Sequence, residues 1–263
     1  MCLVIFAHQT SAKYPLLVAA NRDEFHARPT APAQRWPEAP DLLAGRDLEQ
    51  GGTWMGVTEG GRFAAVTNFR DPDRSAPAPL SRGALPLDFL QGKMGAQQYL
   101  LQVQSRAHDY AGFNLLVGDK DALWYYDNSP GEQPQQLAPG IYGLSNARLD
   151  PPWPKVNRGK QAMRQLIADG NIDHASLAQL VGDRQLADPA SLHPAGSKNS
   201  NEHLLSAQFI VTQGYGTRST TTLWRDNCDR IDWCEESYDA EGKSRGKVAE
   251  VLSPGAVRSS ARE

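Results

Sequence analysis

Cys2 is the residue whose type and position could carry chemistry by themselves. Removal of Met1 would leave a cysteine with both a thiol and a free α-amino group. The reference pKa is about 7.7 to 8.0 for such an amine and about 8.5 for the thiol, so the amine can accept the thiol proton near neutral pH without an added histidine. The alternative is a small buried residue at the second position of a strand, and Cys2 taken alone favours that alternative.

Other catalytic and cofactor signatures are missing from the sequence. There is no glycine-rich phosphate loop ending in Gly-Lys-Ser or Gly-Lys-Thr, no Gly-x-Gly-x-x-Gly after a strand, no His-Glu-x-x-His and no EF-hand loop. The six histidines are scattered, and none forms a short metal-ligand pair. We therefore predict that the protein needs no metal and no cofactor.

Composition and charge narrow the class of protein. The chain has 263 residues, of which 40% are hydrophobic and 22% charged, and its net charge is −3, which is ordinary globular composition and disfavours a nucleic-acid partner. The three cysteines have no Cys-x-x-Cys spacing and are odd in number, which is typical of a reducing compartment. The N-terminal apolar run, residues 3–7, is too short to span a membrane and has no preceding basic residue. We expect a cytoplasmic protein without a membrane span.

The elements that would position Cys2 follow from the pattern of apolar residues. Strands are expected at residues 3–8, 16–20, 53–58, 62–68, 113–118, 122–126, 140–144, 207–212, 220–225 and 230–235. Helical spacing occurs at residues 83–90, 96–107, 155–168 and 174–181. Because strands outnumber helices and run in hairpins, an α+β arrangement of antiparallel sheets with helices outside is predicted.

Three stretches are predicted to lack regular structure. Residues 28–47 are rich in proline and are expected to form a long loop, either a wall facing the substrate or a surface connection. Residues 183–203 read as a polar, irregular connection. Residues 239–263 are too polar to bury, so we expect one domain over residues 1–238 and a disordered tail over 239–263.

Eight sequence blocks keep a recognisable order over about residues 1 to 236. They are residues 1–6, the tetrapeptide Asn21-Arg22-Asp23-Glu24 with Phe25, and residues 52–57, 66–70, 112–119, 143–146, 152–156 and 215–219. In these blocks the chain resembles the NRDE family, also called the transport and Golgi organisation family. That resemblance implies an N-terminal nucleophile hydrolase-like fold, a four-layer αββα sandwich. Some members of the family have been connected with acyl-CoA and lipid metabolism or with haem trafficking.

The resemblance also implies roles for individual residues, through the pattern of bile-salt hydrolases and penicillin V acylases. Cys2 matches the nucleophile, and Asp23 matches the acid that holds the new α-amine. Asn68 matches an oxyanion-hole side chain, and Asn146 matches a second polar group around the nucleophile. Arg218 corresponds to a late arginine, although the residues around it match poorly.

Arg22 departs from that pattern. In those hydrolases the arginine lies three residues before the aspartate, whereas Arg22 directly precedes Asp23, and adjacent side chains on a regular strand point to opposite faces. Two interpretations stay open: a strand end or bulge turns Arg22 towards the nucleophile, or Arg22 pairs with a carboxylate such as Glu24 as a structural clamp. Asn21 shares a face with Asp23 and is a reserve candidate beside the amine.

Two functions from different classes are consistent with these residues. The leading hypothesis is an N-terminal cysteine hydrolase that cleaves an amide or thioester of a small acyl substrate, with Trp54 and Phe69, and also Phe113 and Trp153, as candidate walls of an acyl pocket. Ordinary core packing is the alternative for each of these aromatic side chains. The second hypothesis is a protein that binds and carries acyl-CoA or haem without turnover. A purely structural protein would require Cys2 and its partners to lie apart.

Overall fold

Two antiparallel sheets form the centre of the protein, described here from a computed structural model over residues 2–69, 78–188 and 201–254. The first sheet has the strand order β10 (Gly140–Leu144), β1 (Cys2–His8), β2 (Leu16–Phe25), β11 (Tyr215–Arg225), β12 (Ile231–Tyr238) and β13 (Ser244–Leu252). The second has the order β3 (Thr30–Trp36), β4 (Ala39–Asp47), β5 (Met55–Thr58), β6 (Phe63–Asn68), β7 (Phe113–Gly118), β8 (Leu123–Asp127) and β9 (Gln135–Gln136).

Five α-helices lie within the described residues. They are α1 (Ala84–Gln91), α2 (Ala96–Ser105), α3 (Pro154–Asp169), α4 (His174–Gln179) and α5 (Asn201–Leu204). The longest, α3, starts with proline in its first turn and ends at Gly170, whose φ of 72° is left-handed and suits glycine. None of the described helices is long and apolar enough to cross a membrane.

Strand alternation builds the layers. In β1, Leu3, Ile5 and Ala7 pack with residues of α3 and α4, whereas Val4 and Phe6 point the other way into the core between the sheets. A third cluster places α1 and α2 on the outer face of the second sheet. The order helix, sheet, sheet, helix confirms the predicted α+β sandwich of two antiparallel sheets with helices outside.

The registers of the central strands decide where the polar residues meet. The hairpin of β1 and β2 sets Cys2 opposite Arg22, and β11 pairs with the other edge of β2, where Thr217 stands opposite Asp23. The second predicted hairpin, β5 with β6, is confirmed, and Gly61 in its turn has a φ of 82°. Both hairpins end close to the site described below.

The predicted loop over residues 28–47 is wrong, because these residues form β3 and β4. Proline cannot donate to a sheet ladder and is tolerated on edge strands and at bulges. Strand β3 is an edge strand, and its register shifts between Ala31 and Gln34, around Pro32. The prolines therefore mark an edge and its irregularities rather than an unstructured connection.

The strand predicted at residues 207–212 is also wrong. This segment is irregular apart from one bridge, between Val211 and Gly216. Its apolar residues Phe209 and Ile210 are nevertheless buried, and the Ile210 backbone N–H donates to Thr217 Oγ1 at 2.9 Å. The apolar run over residues 207–212 therefore reflects burial rather than hydrogen bonding within a sheet. Of the irregular connection predicted at 183–203, residues 189–200 lie outside the described residues, and α5 covers the end.

The predicted disordered tail is contradicted over its first half. Ser244–Leu252 form β13, which pairs with β12 along its length. Most of its side chains are exposed because β13 is the edge of the sheet, and only Leu252 is fully buried. An edge strand with polar side chains has no sustained apolar period, so the polar composition of residues 239–263 wrongly indicated disorder. Residues 255–263 lie outside the described residues.

Candidate active site

Cys2 is the first residue of β1 and points towards the space between the sheets. It is partly exposed and borders a cavity of ≈ 340 Å³ and a narrower recess next to it. Its carbonyl oxygen accepts a hydrogen bond from Ser145 Oγ at 2.9 Å. Burial raises the pKa of the Cys2 thiol, and the positive charge at the N-terminus of the chain opposes that increase. The thiol therefore needs a base before it can attack.

The ≈ 340 Å³ cavity brings together residues that are remote in the sequence. Its wall includes Cys2, Arg22, Asp23, Trp54 and Asn68, all of which were predicted site residues. They come from β1, β2, the segment before β5 and the end of β6. This convergence is what the hydrolase hypothesis requires and what a purely structural protein would lack.

Asp23 lies almost completely buried beside Cys2, at 1% exposure. Its Oδ1 accepts a hydrogen bond from Thr217 Oγ1 at 2.7 Å, and its carbonyl accepts one from the Tyr215 hydroxyl at 2.9 Å. Burial raises the pKa of Asp23, while the positive charges of the N-terminus, Lys155 and Arg22 lower it. A carboxylate held near the N-terminal charge is suited to orient an amine there.

Lys155 is a buried cation beside this pair that the sequence analysis did not select. It lies at the start of α3, is 3% exposed, and its Nζ donates to the Leu205 carbonyl at 2.9 Å. Burial lowers the pKa of Lys155, and the charges of Asp23 and Cys2 raise it. A buried lysine near a buried aspartate is a strong electrostatic signal, but only the fold brings residues 23 and 155 together.

Arg22 points into the cavity from the same face as Cys2, because the two residues are direct partners across the β1–β2 ladder. Its guanidinium lies over the Trp54 ring, 4.3 Å from the centroid, and its Nη1 donates to Thr30 Oγ1 at 3.2 Å. The described residues show no ion pair between Arg22 and Glu24. Of the two interpretations left open by the sequence, the geometry matches the one in which Arg22 faces the nucleophile.

Asn68 and Asn146 occupy different positions relative to the cavity. Asn68 borders it, whereas Asn146 is 4% exposed, does not border it, and donates from Nδ2 to the Asn68 carbonyl at 2.9 Å. Asn146 therefore fixes the backbone that carries Asn68. Its contacts are those of a positioning residue, and its predicted role as a polar group around the nucleophile stays a prediction.

A hydrogen-bonded network missed by the sequence analysis supports the same corner. Asn114 is fully buried and donates from Nδ2 to Thr67 Oγ1 at 3.1 Å and to the Ala147 carbonyl at 3.0 Å. Thr67 Oγ1 donates to the Ser145 carbonyl at 2.7 Å. Since Ser145 Oγ also donates to the Cys2 carbonyl, this network ties β6 and β7 to Cys2.

The remaining predicted site residues lie elsewhere. Asn21 borders the narrow recess, but its Nδ2 donates to the Val181 and Gln208 carbonyls at 2.7 and 2.8 Å, and its Oδ1 accepts from Thr220 Oγ1 at 2.7 Å. Its amide is therefore engaged by the protein, and its role as a site residue stays a prediction. Arg218 borders a different cavity, and its Nη1 donates to the Phe25 carbonyl at 2.8 Å.

The aromatic candidates also divide into one that borders the cavity and others that do not. Trp54 is half-buried and borders the cavity, and Gly45 makes room for its ring, since a methyl group at Gly45 would overlap it. Phe69 is absent from the lining, and its backbone N–H donates to the Gly112 carbonyl at 2.9 Å. Phe113 and Trp153 pack in hydrophobic clusters, as the core alternative anticipated.

The cavity wall is mainly polar rather than the apolar acyl pocket that was expected. Arg28 and Arg82 border it in addition to Arg22, together with the acids Glu24, Asp47 and Glu49. Arg28 pairs with Asp47 at 2.7 Å and with Glu49 at 3.2 Å. Arg82 Nη1 donates to the Gly112 carbonyl at 3.0 Å; burial lowers the pKa of Arg82, and the nearby charge of Cys2 raises it.

Haem fits this site poorly. Among the described residues that border the cavity, Cys2 is a candidate axial ligand and no histidine is present. No group of three or more metal-ligating side chains occurs within residues 2–69, 78–188 and 201–254. The haem hypothesis therefore rests on Cys2 alone.

The fold is similar to that of a solved amidase structure. A solved structure, the Caenorhabditis elegans N-acylethanolamine-hydrolyzing acid amidase (NAAA) ortholog, superposes with a TM-score of 0.50 at 10% identity, covering 84% of this chain and 92% of that chain. The conjugated bile acid hydrolase from Clostridium perfringens superposes less closely, with a TM-score of 0.46 at 10% identity, covering 95% of this chain and 92% of that chain.

The chain belongs to the Transport and Golgi organisation 2 family, whose sequence profile matches residues 1–240. The Bos taurus Transport and Golgi organization protein 2 homolog is 36% identical over 259 residues, covering 90% of this chain and 93% of that protein. The Homo sapiens homolog is 34% identical over 258 residues, with 90% and 93% covered. The family predicted from the sequence blocks is thus confirmed under its transport and Golgi organisation name.

Proposed function

We propose that the protein is an N-terminal cysteine nucleophile hydrolase that cleaves an amide or thioester through an acyl-enzyme. The observation that carries the proposal is the placement of Cys2, Arg22, Asp23 and Asn68 around one cavity, although they come from separate strands. The fold class agrees with this reaction and does not by itself prove it. The cytoplasm remains the proposed location, on the sequence evidence alone.

The reaction starts with removal of Met1, which frees the α-amine of Cys2. That amine takes the proton from the thiol, and the thiolate attacks the substrate carbonyl carbon, forming a tetrahedral intermediate with a negatively charged oxygen. Asp23, held by Thr217, orients the resulting ammonium group. The burial that raises the pKa of the thiol makes this internal base necessary.

The second half of the reaction releases the two products. The Asn68 amide donates to the oxyanion, an interaction worth about 3 kcal/mol in comparable sites. The intermediate collapses, the ammonium returns its proton to the departing amine or thiol, and an acyl-enzyme remains on Cys2. Water then gives a proton to the free amine and attacks the acyl carbon, so the carboxylic acid leaves and the thiol is restored.

The polar wall bears on the substrate. Arg22 and Arg82 place positive charge beside Cys2, and Glu24 offsets part of it, while Arg28 is paired with Asp47 and Glu49. An anionic group of the substrate therefore fits beside Arg22 and Arg82 rather than along the whole wall. An acyl-CoA thioester is one class that meets this condition. The acyl chain itself has only Trp54, Val66 and Leu80 among the larger apolar side chains of the cavity wall.

A panel of acyl-CoA thioesters and acyl amides tests the proposal on purified full-length protein. We expect turnover by the wild type, with its intact mass showing loss of Met1, and at least a 10³-fold loss in Cys2→Ala with an unchanged thermal midpoint. Cys228→Ala is the matched control, because Cys228 is exposed and distant from the cavity lining, and it should retain full activity.

The carrier hypothesis predicts a different pattern from the same panel. Saturable binding of acyl-CoA or haem without release of free thiol or amine, in protein that has lost Met1, would replace the hydrolase by a binding protein. Equal turnover by wild type and Cys2→Ala, or full activity with Met1 retained, would contradict the mechanism.

A further inference from the structure

A second cavity, of ≈ 390 Å³, shares Trp54 with the cavity that Cys2 borders. The end of the first sheet forms most of its wall, with residues of β11, β12 and β13, and Thr30 and Pro32 of β3 close it from the second sheet. Cys2, Asp23 and Asn68 do not border it. It is therefore separate from the proposed catalytic cavity, although the indole of Trp54 is a wall of both.

Two arginines enter this cavity from β-bulges. In the β2–β11 ladder Thr217 pairs with Asp23 and Ser219 with Arg22, which leaves Arg218 as the extra residue. In the β12–β13 ladder Ser237 pairs with Gly246 and Tyr238 with Ser244, which leaves Arg245 as the extra residue. Bulges redirect a side chain locally and are frequent beside functional sites. Both redirected residues here are arginines, and both border the same cavity.

The positive charge of this cavity is only partly compensated. Lys247 adds a third cation and pairs with Glu236 at 3.5 Å. Arg218 uses Nη1 for the Phe25 and Arg28 carbonyls, at 2.8 and 3.2 Å, which holds its guanidinium in place. Within the described parts of the chain neither Arg218 nor Arg245 makes an ion pair with a carboxylate.

One acid also borders the cavity, and its oxygens are already engaged. Glu235 is 1% exposed; its Oε1 accepts from the Ala33 backbone N–H at 2.6 Å and its Oε2 from Thr221 Oγ1 at 3.1 Å. Burial raises the pKa of Glu235, while the hydrogen bonds from Ala33 and Thr221 and the charge of Arg22 oppose that increase. Both oxygens of Glu235 are thus held by donors of the protein.

Ser219 supplies an independent observation. It borders the cavity at 5% exposure, and its Oγ has no hydrogen-bond partner among the described residues. A buried hydroxyl without a partner is uncommon in a native structure and calls for an explanation. This oxygen is enclosed in the structure, so a rotation of the Ser219 side chain about χ1 is needed to bring it to a ligand oxygen in the cavity.

We propose that this cavity binds a small phosphate-bearing molecule, with its phosphate oxygens held by Arg218, Arg245 and the Ser219 hydroxyl. A phosphate group offers several acceptor oxygens and about two negative charges, which matches two guanidinium groups, an ammonium group and a hydroxyl better than a single carboxylate does. The volume lies within the range of small-molecule sites. Trp54 would form a side wall against the rest of the ligand.

Titration of inorganic pyrophosphate into the full-length protein, followed by calorimetry, tests the site. We expect saturable binding with one site per chain, weakened at least 10-fold by Arg245→Ala and less by Arg245→Lys. Arg245 is exposed, so its substitution should leave the thermal midpoint unchanged, whereas Arg218→Ala also removes hydrogen bonds to β2 and serves as a second variant. Arg164→Ala, an exposed arginine on α3, is the matched control.

The outcomes separate this site from the Cys2 reaction. Cys2→Ala should bind pyrophosphate as the wild type does, whether or not the hydrolase proposal holds. Absence of saturable binding, equal affinity for acetate and pyrophosphate, or binding unchanged in both Arg245→Ala and Arg218→Ala would overturn the proposal.

Discussion

At the scale of single residues, the candidate site residues of β2 point to opposite faces of the strand. Arg22 faces the space between the sheets together with Cys2, whereas Asp23 meets Thr217 and the buried cation Lys155. The carboxylate that would hold the amine is thus surrounded by protein, and the thiol faces the cavity. Lys155 and Asn146 would support the reaction without touching substrate, and the two predictions below test each of them.

Lys155→Met should move the acid limb of the pH profile of kcat/KM to higher pH. Burial raises the pKa of Asp23 and the charge of Lys155 lowers it, so loss of that charge raises the pKa further. The carboxylate that orients the amine then becomes protonated at a higher pH than in the wild type. The measurement is the pH dependence of kcat/KM on a substrate found in the acyl panel.

Lys93→Met is the control for charge removal, since Lys93 is exposed between α1 and α2. Its profile should match the wild type. A Lys155→Met profile that also matches the wild type, in protein with a native thermal midpoint, would show that Lys155 does not act through Asp23.

Asn68→Ala should lower kcat by about 10² to 10³, the usual cost of removing an oxyanion-hole donor. Asn146→Ala should have a smaller effect on kcat, because it removes only the hydrogen bond to the Asn68 carbonyl, and it should cost about 1 to 3 kcal/mol of unfolding free energy. Steady-state kinetics and urea denaturation measure the two effects. Asn157→Ala, exposed on α3, should change neither, and a larger kinetic effect from Asn146 than from Asn68 would reverse the assigned roles.

At the scale of elements, β4 and β5 meet around Trp54. The ring needs the absence of a side chain at Gly45, and Arg22 lies over it from the opposite sheet. The position of this one indole therefore depends on three strands. The sequence indicated Trp54 as a candidate wall of the substrate pocket. It gave no sign that Gly45 makes room for the ring, because residues 28–47 were predicted to form a loop.

Gly45→Ala should destabilise the protein by about 1 to 3 kcal/mol, because the added methyl group overlaps the Trp54 ring and forces it to move. The displaced ring should also change the intrinsic tryptophan fluorescence. Guanidinium denaturation and emission spectra are the measurements. Gly214→Ala is the matched control, as nothing lies within 4 Å of the added atom there. Equal stability of Gly45→Ala and Gly214→Ala would mean that the Trp54 ring can move aside at no cost in free energy of unfolding.

The arrangement of the elements also explains which candidate site residues could be selected from the sequence and which could not. The resemblance selected Cys2, Asp23 and Asn68 from the order of motifs alone, and these three residues border one cavity. Lys155 and Asn114 were not selected as site residues, because their roles arise from contacts across tertiary structure: Lys155 with Asp23, and Asn114 with Thr67 and Ala147. Asn21 was selected by strand alternation, which gives the face of a residue and says nothing about whether its hydrogen bonds are already used.

At the scale of the whole molecule, the layers were predictable and the edges were not. The central strands and the four longer helices carry apolar periods because each packs at least one face against other elements, where water is excluded. Strands β3 and β13 lie at sheet edges, where proline or polar side chains are tolerated, and both were assigned to irregular chain. The edge position accounts for β13 and β3, whereas β4 is an interior strand that was missed because the prolines of residues 28–47 indicated a loop.

Leu252→Ala should cost about 2 to 5 kcal/mol of unfolding free energy, whereas Val251→Ala should cost less than about 1 kcal/mol. The two neighbours point to opposite faces of β13: Leu252 is 1% exposed and belongs to the core between the sheets, while Val251 is 48% exposed. Chemical denaturation of both variants measures the difference. Equal costs would mean that the last strand contributes no core to the fold.

The hydrogen bond between Thr217 and Asp23 joins β2 to β11, whereas Cys2 lies on β1, at the other edge of β2. Thr217 does not border the Cys2 cavity, so a mutation that reshapes its open wall near Arg82 or Trp54 leaves the support of Asp23 in place. Changes at that wall can therefore alter which ligand fits without removing the hydrogen bond that holds the acid.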